Sequence, residues 1–378
     1  MYIELFILLL SLTAFCYIMV ILIITIGWYR MKNFTSSVRG FSTRVSVVVA
    51  YRNESNHIEK FLESITKQTY PDRLWELVLV NDHSEDNGLQ KINKFIPNHK
   101  NITIRLIDAE GEGKKTALLE GVRQANGRLI VTTDADCRVS PNWLANMVAF
   151  YEQEHPLLIL GPVVYENEKG FLQKLFSLDF MSLVASGAGS ASKKLPLMGN
   201  GANMAFEKDV FLEAGAEAQK HNFASGDDVF LVHYLAKEFG KQAVRFIKNR
   251  ESMVFTAPPA NLKTFLHQRV RWGSKAKAYE LVWPLLVAFS VFLFNGLLVA
   301  SFFVSFFIPW FSSIFLLFIL LKFVVDLPLM QAFSDFSNKR NLLVYLLPFE
   351  FIYPFYILYA AFKGIFFRYE WKGRKTLR

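Results

Sequence analysis

The feature that most constrains this chain is the length of its apolar segments, which lie at both ends. Residues 2–28 carry one charge, Glu4, and exceed the roughly 20 residues that a helix needs to cross a bilayer. A secretory signal would place its basic residues before the apolar core. Here they come after it, as Arg30, Lys32, Arg39 and Arg44. We therefore expect residues 1–28 to be an uncleaved transmembrane anchor, with Met1 outside and the following segment cytoplasmic.

The carboxyl-terminal part of the chain repeats this pattern. Residues 281–307 and 311–330 are nearly uncharged, and the short break between them predicts a hairpin of two spans. Core helices of soluble proteins seldom stay apolar on all faces over such lengths. Residues 342–367 form a third candidate, which Pro348, Glu350 and Pro354 weaken. We expect a transmembrane region at 281–367 with two to three spans, followed by a basic tail at 368–378.

The third candidate leaves two topologies open. A third full crossing would place the basic tail outside, against the tendency of Lys and Arg to remain in the cytoplasm. Alternatively, residues 342–367 form a re-entrant or interfacial element that is broken at its prolines.

Composition supports a multi-pass integral protein of the cell (inner) membrane. Of the 378 residues, 52% are hydrophobic, and much of the net charge of +9 flanks the predicted spans and the tail. Lys and Arg facing anionic lipid explain this charge, so no nucleic-acid partner is expected, although a phosphate-bearing substrate would suit it equally. The two cysteines, Cys16 and Cys137, are too few for a disulfide framework or a zinc site.

Residues 42–280 show a different sequence pattern, in which runs of β-branched residues alternate with segments of helical periodicity. This alternation is typical of an α/β domain with a parallel sheet, and such sheets bind ligands outside the carboxyl ends of their strands. The predicted strands are 45–51, 76–82, 102–107 and 128–134, and helices are predicted around 56–66 and 114–124. Polar residues at the ends of three strands should converge on one crevice: Arg52, Glu54, Asn81, Asp82, Asp134 and Asp136.

Asp134 and Asp136 point to a metal. Residues two apart on an extended chain face the same way, and two adjacent carboxylates repel each other unless a cation separates them. Carboxylate oxygens are hard ligands, and they suit Mg²⁺ or Mn²⁺ that also binds phosphate oxygens. The alternative is that one Asp caps the helix near Pro141 while the other is solvated.

Four further stretches have features of ligand-binding sites, and three of them also have a plain structural explanation. The stretch "GEGKKTALLEG" at 111–121 places Lys114 and Lys115 at a helix start, where a phosphate can bind, but an ordinary loop and cap would look the same. The "GNGANMAF" turn at 199–206 allows a close backbone approach. In "SGDDVFL", at 225–231, the acidic pair also suits a helix dipole. "QRVRW" at 268–272 also suits an interfacial anchor.

Taken in order, these stretches resemble the membrane-bound family 2 glycosyltransferases, which include cellulose, chitin and hyaluronan synthases and ceramide glucosyltransferases. The resemblance rests on "VVVAYRNE", "VNDHSED", "GKKTAL", "DAD", "GDD" and "QRVRW". It implies a GT-A-type (Rossmann-like) nucleotide-sugar domain at 42–280, combined with transmembrane α-helices, and a nucleotide-sugar donor that is usually UDP-linked.

The resemblance also implies residue roles. Tyr51, Glu54 and Asp82 correspond to base and ribose contacts, and Lys114 to a donor-site residue. Asp134 corresponds to a nucleotide contact and Asp136 to the metal ligand. Asp228 corresponds to the general base. The residues of the QxxRW motif, Gln268, Arg271 and Trp272, correspond to diphosphate and acceptor contacts. The family often has Pro, Asn and Glu where this chain has Ala50, Arg52 and Asp227, which leaves the choice of base and donor open.

The expected reaction is a metal-dependent, inverting transfer. A carboxylate, Asp228 or else Asp227, must accept the proton of the attacking hydroxyl. The leaving diphosphate needs positive charge, for which we expect Asp136 with its metal, Arg271 and Arg269. Three or four spans are few for a polymer channel, which favours a lipid or lipid-linked glycan acceptor. A processive polysaccharide synthase and a noncatalytic membrane scaffold are the alternatives.

One apolar stretch within the domain, residues 170–184, has two interpretations. It either lies on the membrane near the crevice or forms a buried core helix.

Overall fold

The computed structural model describes residues 1–38, 40–219, 227–274, 279, 281–366, 370–371 and 374–375. In chain order the helices are α1 Tyr2–Arg30, α2 Ile58–Ile65, α3 Gly88–Phe95, α4 Lys114–Gln124, α5 Trp143–Glu154, α6 Gly170–Ser192, α7 Lys208–Gln219, α8 Asp227–Glu238, α9 Leu262–Ser274, α10 Val282–Val304, α11 Phe311–Phe336 and α12 Leu346–Phe366. The strands are β1 Val45–Tyr51, β2 Trp75–Asn81, β3 Thr103–Asp108, β4 Leu129–Thr132, β5 Arg138–Val139, β6 Leu158–Leu160, β7 Val163–Tyr165, β8 Met204–Glu207, β9 Val244–Phe246, β10 Val254–Thr256, β11 Glu370–Trp371 and β12 Arg374–Lys375.

These elements form two compact units. The first, called here the sheet unit, comprises Met31–Glu166 and Met198–Ala257. The second, the helical unit, comprises Met1–Arg30, Asn167–Leu197 and Pro258–Arg378. The sequence predicts one domain at 42–280, whereas this division assigns α6 and α9 to the unit that also holds the apolar helices. The reason is packing, because α6 lies against α1 and α9 lies against α12.

The sheet unit is built on a seven-stranded mixed sheet with the order β3-β2-β1-β4-β8-β6-β9. Strands β1 to β4 are mutually parallel where they pair, and β8 runs antiparallel to both β4 and β6. A smaller sheet has the order β5-β10-β7. The chain leaves β1 toward β2 on one side and reaches β4 on the other. This reversal of strand order is where α/β sheets place ligands.

The core of the sheet unit lies on both faces of its central strands. Strands β1, β2 and β4 are buried along almost their whole length, as expected for parallel strands covered by helices. Helix α4 lies very close to this sheet: a Cβ on Gly121 would be 2.7 Å from side-chain carbons of Val48 and Val80. A glycine at this position therefore allows the close contact of α4 with the strands.

The four strands predicted from sequence are confirmed, with ends shifted by up to two residues at β4. Helix α4 matches its predicted bounds, and α2 is shorter than predicted by two residues at its start and one at its end. The hydrophobic alternation that predicts a strand fades at its ends, where the chain turns toward the site.

Among its described residues, the helical unit contains four helices that are long and apolar enough to cross a membrane, namely α1, α10, α11 and the segment Arg340–Phe366 that includes α12. Helices α1, α10 and α11 share a core cluster that includes Leu10, Tyr17, Phe294 and Ile319. Helix α6 is largely buried, and a Cβ on Gly27 of α1 would lie 2.1 Å from the carbonyl oxygen of Gly189. Within residues 170–184, residues 175–181 are buried, as a core helix requires, whereas Phe171 and Leu172 are about half exposed.

A group of charged side chains is buried among α1, α11 and α12. The Lys322 ammonium contacts the Asp326 carboxylate at 2.7 Å and also pairs with Glu350. The Tyr17 hydroxyl donates to Asp326, and the Lys322 nitrogen lies 4.5 Å from the centre of the Tyr353 ring. Opposite charges thus join elements that are far apart in sequence.

Candidate functional site

The site begins where β1, β2 and β4 end, at the carboxyl edge of the large sheet. Their last residues are Tyr51, Asn81 and Thr132, and Asp82 directly follows β2. Asp82 is buried, and its Oδ1 accepts a hydrogen bond of 3.0 Å from the backbone N–H of Gly113. Gly113 has φ +100°, a conformation that glycine adopts without strain, and immediately precedes α4. The amino end of α4 is thereby fixed beside β2.

This arrangement directs Lys114 toward the end of β4. The Lys114 Nζ lies 2.5 Å from Asp134 Oδ1. Three residues predicted for the donor site, Asp82, Lys114 and Asp134, are therefore linked through contacts around the start of α4. The first N–H groups of a helix attract anions, so a phosphate group suits this position.

Tyr51 and Glu54 extend the same edge beyond β1. Tyr51 is buried, and burial raises the pKa of its phenol to about 12, with Asp108 and Asp86 adding to the effect. The hydroxyl is therefore neutral and able to donate at physiological pH. The Glu54 Oε2 lies 3.0 Å from the His57 Nδ1.

Asp134 and Asp136 form an acidic pair. Ligand atoms of Asp134, Asp136 and Cys137 lie within 4.8 Å of one another. Although Asp136 as a residue is exposed, protein atoms crowd its carboxyl group. This burial, together with the charges of Asp134 and Glu54, raises the pKa of the Asp136 carboxyl group to about 6. Like charges held this close are the condition that a bound cation relieves.

The donor set fits a hard divalent cation. Two carboxylates offer the oxygen ligands that Mg²⁺ and Mn²⁺ prefer. The third neighbour, Cys137, is buried, and burial raises the pKa of its thiol, so the protonated sulfur is a poor ligand. The site therefore suits Mg²⁺ or Mn²⁺ better than zinc.

Asp228 lies in the first turn of α8, where its Oδ1 accepts from the backbone N–H of Val229 at 2.9 Å. Gly201 lies next to it, because a Cβ on Gly201 would be 4.0 Å from the Asp228 Cβ. The Gly201 carbonyl in turn accepts from Thr132 Oγ1 at 2.9 Å. Through these contacts Asp228 is tied to the end of β4. The side chain of Asp227 lies outside the described residues.

Asn203 holds the turn that carries Gly201, a role that was not predicted from the sequence. It is fully buried; its Oδ1 accepts from Trp143 Nε1 at 3.0 Å, and its Nδ2 donates to the carbonyls of Pro162 and Ser252 at 2.8 Å each. The glycines of "GNGANMAF" mark this turn in the sequence, but the role of Asn203 depends on partners 41 to 60 residues away, which the sequence does not show.

Arg52 is a second residue whose role was missed. Its Nη1 donates to the backbone oxygen of Asp82 at 3.1 Å, and its Nη2 lies 3.5 Å from Glu85. It thus joins the segments that follow β1 and β2. Its position directly after β1 was visible in the sequence, but its partner, a backbone carbonyl 30 residues away, was not.

The four predicted residues of the "QRVRW" stretch lie in the helical unit, on α9. Gln268 and Arg271 are half-buried, whereas Arg269 is only 4% exposed and pairs with Asp179 of α6. The Arg269 guanidinium lies 4.0 Å from the centre of the Trp272 ring. Within this unit Arg269 therefore has protein partners on α6 and on its own helix.

The fold and the acidic edge define a GT-A-like α/β domain. Residues 46–213 match the family model "Glycosyl transferase family 2", and the chain contains a domain of this family.

Two curated relatives and one solved structure illustrate the likeness. Poly-beta-1,6-N-acetyl-D-glucosamine synthase of Staphylococcus epidermidis is 28% identical over 142 residues, covering 37% of this chain and 33% of the relative. Dodecaprenyl-phosphate galacturonate synthase of Rhizobium johnstonii is 30% identical over 137 residues, covering 35% and 40%. The chain thus spans well under half of these relatives. The mannosyltransferase PcManGT from Pyrobaculum calidifontis, solved with GDP-Man and Mn²⁺, has a TM-score of 0.62 at 17% identity, covering 96% of this chain and 98% of that one, and shares its fold.

Proposed function

We propose that this chain is an inverting, metal-dependent glycosyltransferase that moves a sugar from a nucleotide-diphosphate sugar, UDP-linked, to a lipid or lipid-linked glycan at the membrane. The observation that carries the proposal is the pair Asp134 and Asp136, with Lys114 in contact, at the carboxyl edge of a family 2 domain.

The donor would bind along this edge. Tyr51, Glu54 and Asp82 would contact the base and ribose, while Lys114 and the amino end of α4 would receive the diphosphate. Asp134 and Asp136 would hold Mg²⁺ or Mn²⁺. The ion would supply positive charge to the diphosphate as it leaves. The Mn²⁺ and GDP-Man in the solved mannosyltransferase support a metal and a nucleotide sugar.

Asp228 would accept the proton of the attacking acceptor hydroxyl, and Asp227 is the alternative base. Gln268, Arg271 and Trp272 would bind the diphosphate and the acceptor. A single in-line displacement inverts the anomeric carbon, so an α-linked donor would give a β-linked product.

A lipid acceptor is supported by the name of the galacturonate synthase, which specifies dodecaprenyl phosphate. The poly-N-acetylglucosamine synthase supports the second candidate, a processive polysaccharide synthase. These candidates predict different products from the same donor, a labelled lipid in one case and a long glycan in the other.

A sugar-transfer assay on membranes tests the proposed function. Membranes that contain the full chain are incubated with labelled UDP- and GDP-sugars, Mn²⁺ and extracted lipids. We expect label in the organic phase, its loss with chelator or Asp136→Asn, and its retention with Asp209→Asn, a control on an exposed carboxylate of α7. Label in a long glycan would favour the synthase. No transfer from any donor would refute the proposal.

The proposed location is the inner membrane, with the sheet unit in the cytoplasm and three crossings by α1, α10 and α11. Helix α12 would pack in the membrane against α10 and α11, where the ring centre of Phe355 lies 5.3 Å from that of Phe302, without a full crossing. Just before α12, Tyr345 contacts Lys174 of α6; at its middle, Tyr356 contacts Asp179 of α6; near its end, Gly364 packs on α9. Neither α6 nor α9 is among the helices apolar enough to cross. The basic tail would then remain in the cytoplasm, as the charge rule requires.

Cysteine labelling tests this topology. In a Cys16→Ser background, an impermeant thiol reagent added to intact cells should label Trp310→Cys, between α10 and α11, but not Lys67→Cys in the sheet unit or Leu377→Cys in the tail. Labelling at position 377 would show that α12 crosses the membrane. Labelling at position 67 would overturn the cytoplasmic placement.

A further inference from the structure

The helix α9 carries Gln268, Arg271 and Trp272, but Arg269 is set apart from them by its burial. Its side chain is 4% exposed, and its guanidinium pairs with the Asp179 carboxylate, which is equally buried. A diphosphate could not reach a guanidinium enclosed in this way. The sequence assigned Arg269 to the leaving diphosphate, and the helical unit offers a different role.

Asp179 connects three helices of the helical unit. It lies on α6, pairs with Arg269 on α9, and accepts a hydrogen bond from the Tyr356 hydroxyl on α12. The Phe265 ring lies beside the same group, 5.4 Å from the Tyr356 ring, and stacks on Phe176 at 4.1 Å between centroids. The Asp179 carboxylate thus contacts both α9 and α12.

The Arg269 guanidinium also sets the surroundings of Trp272. It lies 4.0 Å from the Trp272 ring centre and 4.7 Å from that of Phe265, within the range of a cation–π contact. Helix α9 has little freedom to rotate, since a Cβ on Gly364 of α12 would lie 2.7 Å from the Val270 carbonyl oxygen. The ion pair and the close packing together hold the indole in one orientation.

We propose that Arg269, Asp179 and Tyr356 are positioning residues that orient Trp272 and its neighbours on α9, and that Arg269 does not contact the diphosphate. The proposal rests on the proposed function of the QxxRW residues. A buried ion pair costs desolvation and is weak evidence for stability alone, but removing one partner leaves a buried charge without compensation.

The decisive experiment compares Arg269→Gln, Asp179→Asn and the double variant. Each single change leaves one buried charge alone, so transfer should fall by about 10²-fold through misplacement of α9. The double change leaves two neutral amides that can hydrogen bond, so most of the lost activity should return. If the double variant is as inactive as Arg269→Gln while Asp179→Asn stays active, the guanidinium itself serves the substrate and the proposal fails.

A readout without activity separates this proposal from the proposed function. With fluorotryptophan incorporated into the full chain, the Trp272 resonance can be assigned by its loss in Trp272→Phe. It should shift in each single variant and in Tyr356→Phe, and return in the double variant. Lys339→Gln, which breaks the ion pair with Glu168 just before α6, should leave the resonance in place. An unchanged resonance in both singles would overturn the positioning role, even if transfer from every donor failed.

Discussion

The sheet unit and the helical unit differ in which charges lie next to their acidic side chains. At the carboxyl edge of the sheet, burial raises the pKa of the Asp136 carboxyl group to about 6, and the charges of Asp134 and Glu54 add to this effect. In the helical unit the buried acids lie against cations, as in Asp179 with Arg269 and Glu350 with Lys322. The sheet unit thus gathers carboxylates at one edge, with the Lys114 ammonium beside Asp134, whereas the helical unit pairs its buried acids with cations.

The difference indicates which charges serve ligands and which serve the fold. Gathering carboxylates costs free energy that the Lys114 ammonium beside Asp134 offsets only in part, so a cation from outside is the natural complement. Buried opposite charges satisfy each other and fix how helices meet, even where they add little stability. We therefore assign substrate chemistry to the acids of the sheet unit and helix placement to the ion pairs of the helical unit.

The largest expected effect separates two acids within the sheet unit. Asp228→Asn keeps the side-chain shape but removes the proposed base, so turnover should fall by about 10²–10⁴-fold while donor binding persists. Asp136→Asn should instead weaken metal-dependent donor binding, because it removes a ligand charge. Steady-state kinetics and donor titrations on both variants measure this contrast.

The same pair of measurements can contradict the assignment. If Asp228→Asn loses donor affinity as severely as Asp136→Asn, while Asp227→Asn loses only turnover, then Asp227 is the base. If all three variants retain the parent rate, none of these acids takes part in the transfer, and the assignment of the active site fails. Asp209→Asn serves as the control for an exposed carboxylate of the sheet unit.

A second prediction concerns stability in the helical unit. Lys322→Met would leave Asp326 and Glu350 buried without their cation, and we expect a loss of about 3–5 kcal/mol in the free energy of unfolding. Thermal unfolding in detergent measures it. Arg340→Met, which removes a cation 3.6 Å from Asp335 in an exposed pair, should change little. Equal melting temperatures for Lys322→Met and the parent would show that the buried pairs do not hold the helices.

The smallest effect is a pH dependence of metal affinity. As the pH falls through about 6, Asp136 takes up a proton, and the neutral carboxyl group no longer serves as a ligand. The affinity for Mn²⁺ should therefore fall by up to about tenfold for each pH unit below 6 and level off above it. Titrations of the parent between pH 5 and 8 test this, and the dependence should disappear in Asp136→Asn. A flat profile in the parent would remove Asp136 from the metal site.

The sequence predicted the first four strands well because their signals are local, but it did not predict β5 to β10, and the expected parallel sheet is mixed because β8 runs antiparallel to its neighbours. Buried β-branched runs specified β1 to β4, and the polar residues that end them indicated the edge at which the site forms. The contact between Lys114 and Asp134 follows from that topology, since α4 begins beside the end of β4.

What the sequence did not reveal depends on distant partners. Asp179 and Arg269 are 90 residues apart, and the local sequence around either residue does not identify the other as its ion-pair partner. The assignment of α6 to the helical unit likewise follows from its packing on α1, where Gly27 and Gly189 meet. Small residues in an apolar helix can pack against many different helices, so the local sequence pattern could not identify α1 as the partner of α6.

The most direct test of the central claim is calorimetric titration of the full chain in detergent with UDP and GDP, with Mn²⁺ or with excess chelator. We expect one of the nucleotides to bind with Mn²⁺, binding to be lost with chelator or in the Asp134→Asn, Asp136→Asn double variant, and binding to be unchanged in Asp209→Asn. If a nucleotide binds equally well in chelator and in the double variant, the gathered carboxylates do not hold a metal, and the division of charge between the two units has no bearing on function.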